Sequence, residues 1–127
     1  MIGYITLGTN DIDRAAAFYD QLLGVLGSQR FMEDEQFIAW AVAPDKPAIS
    51  VTKPYDGNTA TVGNGTMVAL AVENTDQVAA VHAKALELGG QDEGAVGPRG
   101  DSGFYAGYFR DLDGNKFAVF CMTGGGS

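Results

Sequence analysis

The sequence is poor in the residues that most often bind metals or form disulfides, because its 127 residues include one cysteine, Cys121, and one histidine, His82. A single cysteine excludes a disulfide within the chain and any zinc cluster built on cysteines. A single histidine is the tighter constraint, since most zinc and non-haem iron sites use at least two.

Basic residues are also scarce: eight Lys and Arg stand against sixteen Asp and Glu, for a formal net charge of -8. That balance argues against a general role on nucleic acid or on an anionic membrane surface. The sequence has no apolar run near the ~20 residues that a membrane-spanning helix needs, and no basic start with a long apolar stretch typical of a signal peptide. We expect a cytoplasmic protein with no nucleic-acid and no membrane partner.

What is present suits one globular domain, with 46% hydrophobic and 19% charged residues. Alternation predicts a strand at Ile2–Thr9, and apolar residues three and four apart predict a helix over about 11–26, with Asn10 as its N-cap and Gly27 at its end. Three further strands complete a βαβββ unit: Ser28–Phe31, Gln36–Ala43 and Ala48–Lys53.

The same order recurs about 62 to 64 residues later. Thr66–Glu73 predicts a strand, Asn74 or Thr75 caps a second amphipathic helix that ends at Gly89, and a short strand near Gln91–Val96 precedes an aromatic hairpin around Asp113-Gly114. Such a repeat indicates two copies of one unit. We expect a single domain over 1–123, with module 1 at about 1–56, a connection at 57–65, module 2 at 66–123, and a glycine-rich tail at 124–127 that frays.

Two motifs carry a resemblance to a known family. One is Ile5-Thr6-Leu7-Gly8-Thr9-Asn10-Asp11 leading into Arg14-Ala15-Ala16-Ala17-Phe18-Tyr19, and the other is Tyr108-Phe109-Arg110-Asp111-Leu112-Asp113-Gly114-Asn115-Lys116. With the tandem βαβββ order, they make the chain resemble the vicinal-oxygen-chelate superfamily, which includes glyoxalase I, bleomycin-resistance proteins, fosfomycin-resistance enzymes and extradiol dioxygenases. The resemblance implies an α+β fold in which the modules form a half-open eight-stranded barrel around a cleft, with the helices outside, commonly in homodimers.

Metal-dependent members of that superfamily place their ligands on four strands, and the resemblance maps those positions to Tyr4, approximately Ser50, Met67 and Ala118. A protonated phenol, a neutral hydroxyl, a thioether and a methyl group make a poor set for hard divalent ions. We therefore predict no metal and no cofactor. His82 lies off the apolar stripe of the second helix, so we expect it on the surface.

A two-residue turn at Asp113-Gly114 would place Phe109 opposite Ala118 and put one set of hairpin residues on the cleft face: Tyr105, Gly107, Phe109, Ala118 and Phe120. A turn longer by one residue would place Phe104, Tyr108 and Arg110 on that face instead of Tyr105, Gly107 and Phe109. Cys121 has the opposite parity to Phe120, which predicts a small buried residue facing a helix.

The predicted ligand-binding residues are Tyr4, Thr6, Ser50, Thr52, Met67, Arg99, Tyr105, Phe109, Ala118 and Phe120. This aromatic and apolar lining with a few hydroxyls suits a flat or apolar small molecule, although the same aromatics could simply fill a sheet face. Arg99, in the glycine-bordered loop before the hairpin, is the candidate contact for an anionic ligand, with a solvated loop arginine as the alternative.

Three hypotheses for the function follow. The first is a metal-independent, homodimeric protein of the glyoxalase/bleomycin-resistance type that holds a small organic ligand in its cleft. The second is an enzyme, either a glyoxalase-like lyase or isomerase with a divergent metal site or a metal-free transferase. The third is a protein whose cleft is closed and whose function is pairing. The sequence leaves the ligand, and whether catalysis occurs, open.

Overall fold

The computed structural model describes residues 1–123, which form two consecutive βαβββ units. The first comprises β1 (Tyr4–Gly8), α1 (Ile12–Gly24), β2 (Gln29–Glu33), β3 (Phe37–Ala41) and β4 (Ala48–Thr52). The second comprises β5 (Val68–Ala71), α2 (Thr75–Glu87), β6 (Gln91–Pro98), β7 (Phe104–Arg110) and β8 (Lys116–Met122). The predicted α+β class and tandem βαβββ order are confirmed, and the predicted tail at 124–127 lies outside the described residues.

Each unit forms one mixed four-stranded sheet. The first sheet has the order β1-β4-β3-β2 and the second has the order β5-β8-β7-β6. In both sheets the first strand pairs in parallel with the last strand of its unit, and the remaining pairs are antiparallel. Within residues 1–123, no strand of one sheet is hydrogen-bonded to a strand of the other, so β1 and β5 have open edges.

One of the two helix starts differs by one residue from expectation. The carboxylate of Asp11 caps α1 by accepting a hydrogen bond from the Arg14 amide at 3.0 Å, so the predicted N-cap at Asn10 is one residue too early. Asn10 instead exchanges two side-chain hydrogen bonds with the backbone of Ala60, which holds the connecting segment against α1. Asn74, one of the two residues predicted as the cap, is the N-cap of α2.

The helices join the two sheets into one core. α1 packs on β2, β3 and β4, α2 packs on β6, β7 and β8, and the two helices contact each other. The Tyr19 ring contacts Trp40 of the first sheet and Phe117 of the second, with centroids 5.5 and 6.0 Å apart. Cys121 lies in this core, as predicted.

Among the described residues, no helix has the length and apolarity to span a membrane.

His82 is buried rather than on the surface, so that prediction is wrong. Its ring lies against β7 at Gly107, where an added Cβ would come 3.0 Å from His82 Cδ2. Nε2 lies 3.2 Å from both Asp92 Oδ1 and the Tyr108 carbonyl oxygen. The missing side chain at Gly107 therefore makes the room for the imidazole, and the helical pattern alone does not reveal that space.

The turn between β7 and β8 is organised by a buried carboxylate, that of Asp111. The Tyr19 hydroxyl donates to Asp111 Oδ2 at 2.5 Å. The Asp113 and Asn115 amides donate to Oδ1, and Asn115 Nδ2 donates to Oδ2 at 2.9 Å. These four donors come from both the turn and α1, so the carboxylate fixes the turn and attaches it to the first unit.

Further hydrogen bonds connect the same turn to the start of α1. Thr9 Oγ1 and the Asn10 amide donate to the two carboxylate oxygens of Asp113 at 2.6 and 3.0 Å. Asn115 Nδ2 also donates to the Gly8 carbonyl at 3.1 Å. The end of β1 and the β7–β8 turn are therefore held together by side chains of both units.

Replacing Tyr19 by Phe should lower the free energy of unfolding by about 1–3 kcal/mol, because it leaves the buried Asp111 carboxylate one donor short.

Burial, and then the Asp111 charge, raise the pKa of Tyr19 well above its ordinary value of 10.0. The unfolded chain then loses this proton first, so Tyr19 should make wild-type stability fall by up to about 1.4 kcal/mol per pH unit above about pH 10.

Urea unfolding between pH 8 and 11 measures both effects. The matched control is Tyr55→Phe, since Tyr55 is fully exposed and its hydroxyl makes none of these contacts. Equal stabilities and equal alkaline slopes for the two variants would contradict the role given to Tyr19.

Candidate ligand-binding site

Each sheet turns one face toward the helices and the other, here called the outer face, away from them. In the first sheet, β1 and β4 pair Tyr4 with Ala48, Thr6 with Ser50 and Gly8 with Thr52, and partners in register point to the same side. The intervening Leu7 and Val51 belong to the core. The four predicted residues of this sheet therefore share its outer face: Tyr4, Thr6, Ser50 and Thr52.

The outer face of the first sheet has a floor of small residues and walls of large ones. Ala39, Ala48 and Ser50 are buried, while Tyr4 and Met32 are 68% and 54% exposed. The walls enclose a cavity of about 270 Å³, which is lined by Gly3, Tyr4, Phe31, Met32, Phe37, Ala39, Pro44, Lys46 and Ala48. Its shape and lining suit one flat, mainly apolar group.

The second sheet has a different register from the one predicted. Tyr108, not Phe109, lies opposite Ala118, and Arg110 pairs with Lys116, so the turn contains five residues rather than two. The Asp111 amide donates to the Asn115 carbonyl at 2.9 Å, which closes this longer turn. A shift of one residue exchanges the two faces of a strand, and the alternative with Tyr108 on the outer side is the one adopted.

Two predicted site residues therefore lie on the wrong face for the cleft. Phe109 is fully buried and stacks on Phe117 with ring centroids 5.3 Å apart, and Tyr105 packs against the same core. Ala118 and Phe120 lie on the outer face, as predicted. The β7 and β8 residues of that face are Phe104, Ala106, Tyr108, Arg110, Lys116, Ala118, Phe120 and Met122.

Met67 and Ala69 extend the outer face of the second sheet. Ala69 pairs with Ala118 across the parallel β5–β8 ladder, and Met67 lies two residues before it, just ahead of β5. Phe104 and Phe120 stack with their centroids 5.3 Å apart. This face repeats the plan of the first sheet: the small buried residues Ala106 and Ala118 lie between larger, partly exposed ones.

Arg99 is hydrogen-bonded to the end of β6, the strand that precedes its loop. Nη2 donates to the Ala95 carbonyl at 2.5 Å, Nη1 donates to the Gly97 carbonyl at 2.9 Å, and the guanidinium lies 5.3 Å from the centroid of the Tyr108 ring. Lys116, which the sequence reasoning missed, lies 5.8 Å from the same ring. Lys116 and Ala118 are two residues apart on one strand, so the alternation along β8 that placed Ala118 on this face also places the lysine there.

Comparison with known proteins establishes the family. A sequence model of the Glyoxalase/Bleomycin resistance protein/Dioxygenase superfamily matches residues 1–119. The chain belongs to this superfamily. A solved glyoxalase/bleomycin resistance protein from Albidiferax ferrireducens T118 is 32% identical to it, with a TM-score of 0.86 over 95% of this chain and 98% of that one.

Two less similar solved structures share the fold. Lactoylglutathione lyase from Agrobacterium tumefaciens is 20% identical, with a TM-score of 0.71 over 95% of this chain and 92% of that one. A genomically encoded fosfomycin resistance protein from Listeria monocytogenes is 17% identical, with a TM-score of 0.74 over 97% and 93%. Among curated proteins, none matches the sequence significantly.

The four positions that the superfamily resemblance assigned to metal ligands make an unsuitable set here. Ser50 is fully buried, and its hydroxyl bonds Thr6 Oγ1 at 2.9 Å and donates to the Ile5 carbonyl at 3.0 Å. Tyr4 and Met67 are exposed, and Ala118 has no donor atom. Residues 1–123 contain no group of three or more His, Cys, Asp or Glu side chains that could hold a metal. These residues do not fit a hard divalent ion.

The observed register separates core residues from site residues in a way that mutation can test. Phe109→Ala should cost about 3–5 kcal/mol of unfolding free energy, because it empties a buried position. Tyr108→Ala, one residue earlier on the outer face, should cost much less and should alter ligand binding instead. Denaturant unfolding of both variants measures this, and a larger loss for Tyr108→Ala would contradict the register.

Proposed function

We propose that this superfamily member binds a small organic molecule against the outer faces of its sheets, without a metal at the four superfamily positions. The proposal rests on one observation. The four side chains at the superfamily's metal positions are poor metal ligands, while the same faces keep a partly exposed aromatic and apolar lining. Small buried residues at the floor of each face leave room for a flat group, and Tyr4, Phe37, Tyr108 and Phe120 offer rings for stacking.

The available side chains favour binding over turnover. The outer-face positions of β1, β4, β5, β7 and β8 carry phenols, hydroxyls, thioethers, methyl groups and two cations. General acid–base catalysis most often uses imidazole or carboxylate groups at the reacting centre. His82 lies on the opposite face of the second sheet, packed into the core. The competing activity, a lyase, isomerase or transferase, would require a Tyr or Lys in that role, or Glu93 of β6, whose carboxylate lies 2.8 Å from Nε of the outer-face Arg110.

We further propose that the protein is a cytoplasmic homodimer in which a second copy helps to enclose the cleft. β1 and β5 have open edges, and each outer face exposes large apolar side chains such as Tyr4, Met32, Met67 and Met122. Open strand edges and exposed apolar patches are typical of surfaces that another chain covers. Pairing the first sheet of one copy with the second sheet of the other would complete the half-open barrel.

Thermal-shift screening and elemental analysis test the binding proposal together. Protein purified without chelator should contain well below one equivalent of nickel, zinc, iron or manganese. A library of flat organic molecules should give hits that raise the melting temperature by a few degrees, since ligands that bind only the folded state stabilise it. About one equivalent of metal, or a screen without hits, would contradict the proposal.

A pair of variants locates the binding site of any hit. Ala69→Phe fills the outer face beside Ala118 and should abolish the melting-temperature shift. Ala80→Phe makes the same change at an exposed position of α2 and should retain the shift.

Sedimentation velocity tests the dimer. The 13.3 kDa chain should sediment with about twice its mass. Tyr4→Asp places a charge on the outer face next to an open edge and should shift the equilibrium toward the monomer, whereas Tyr55→Asp, in the exposed connection, should not. A wild-type protein that stays monomeric at every concentration would overturn this part of the proposal.

A further inference from the structure

A second cavity, of about 450 Å³, lies at the turn end of the second sheet. It is lined by residues 62–67 together with Arg110 and Lys116. Met67 and Lys116 also belong to the outer face of that sheet, so the cavity adjoins the proposed ligand surface. Its lining brings two cations together in a protein whose formal net charge is -8.

Lys116 differs from the other lysines in its surroundings. Lys84 pairs with Glu87, whereas Lys46, Lys53 and Lys116 take part in none of the salt bridges found among residues 1–123. Lys46 and Lys53 are exposed, but Lys116 is half-buried. Its ammonium lies 5.8 Å from the centroid of the Tyr108 ring. An ammonium that has no carboxylate within salt-bridge distance among the described residues can pair with an anion from outside the protein.

The neighbouring cations are already committed. Arg110 Nε donates to Glu93 Oε1 at 2.8 Å, and its Nη1 donates to the Gly114 carbonyl at 2.8 Å. Arg99 donates to main-chain carbonyls at the end of β6, which occupy its N–H groups. Among the described residues, Lys116 is therefore the cation of this surface whose N–H groups no protein hydrogen bond occupies, and Arg110 lies beside it.

The loop that faces these cations is shaped for close approach. Gly65 has φ +94°, a conformation that favours glycine, and a Cβ at Gly63 would lie 2.5 Å from Thr66 Oγ1, so a side chain there would displace that hydroxyl. The Thr66 amide donates to the Gly63 carbonyl at 3.1 Å, which closes a tight turn. A loop with so few side chains leaves space for a head group next to Lys116.

We infer that Lys116 binds the anionic head group of the ligand, whose flat or apolar body then lies over Tyr108 and Ala118. The ligand class is a small aromatic or aliphatic molecule that carries one carboxylate, phosphate or sulfonate group. This inference rests on the proposed function and makes it more specific. Ala118 is two residues beyond Lys116 on the same face, and Tyr108 is the cross-strand partner of Ala118.

Two fluorescent probes with the same ring system test the inference. 1-Anilinonaphthalene-8-sulfonate carries an anionic group, and N-phenyl-1-naphthylamine is its neutral counterpart. Lys116→Met keeps an unbranched side chain one atom shorter and removes the charge. It should weaken binding of the anionic probe about tenfold while changing that of the neutral probe by less than about twofold. Lys116→Arg should restore most of the difference. Lys84→Met, on α2, is the matched control and should change neither affinity.

The outcomes separate the inference from the proposed function. If both probes bind the wild type and Lys116→Met weakens them equally or not at all, the anion inference fails and the proposed function stands. If neither probe binds the wild type, the proposed function and the inference fail together. Displacement of the anionic probe by benzoate or by phenyl phosphate then distinguishes a carboxylate ligand from a phosphate ligand. If toluene displaces the probe and neither anion does, that result would also contradict the inference.

Discussion

The carboxylate of Asp111 is the constraint on which the rest of the structure depends. It is buried, no cation lies beside it within residues 1–123, and its charge is stabilised by four hydrogen-bond donors from α1 and from its own turn. Such a group is costly unless every donor is in place, so the turn and the first unit must be positioned together. The neighbouring bonds of Asp113 to Thr9 and Asn10 extend the same attachment.

This constraint determines the chemistry of the ligand surface. The Asp111 carboxylate accepts hydrogen bonds from the Asp113 and Asn115 amides, and this fixes a turn of five residues. As a result, Tyr108 rather than Phe109 of β7 lies on the outer face. The same register places Lys116 beside the Tyr108 ring and Ala118 opposite it. A single buried hydrogen-bond network therefore decides which aromatic residues stabilise the core and which can meet a ligand.

The sequence predicts the fold well because its evidence is local and repeated. Apolar periodicity, helix caps and the Asp-Gly turn place every helix and strand within a few residues, and the repeat correctly indicates two βαβββ units. The errors arise where distant residues meet. The hairpin parity depends on Tyr19, about 90 residues earlier, and the burial of His82 depends on the space above Gly107. Neither periodicity nor dipeptide preference contains that information.

The chain thus keeps the architecture of its superfamily while carrying Tyr4, Ser50, Met67 and Ala118 at the positions that the resemblance assigns to metal ligands. The most direct measurement is a crystal structure of protein grown with nickel, zinc and manganese and with benzoate, using anomalous scattering at each metal edge. The account predicts benzoate density over Ala118 with its carboxylate at Lys116, and no anomalous peak among the four positions. A well-occupied anomalous peak between them would contradict it.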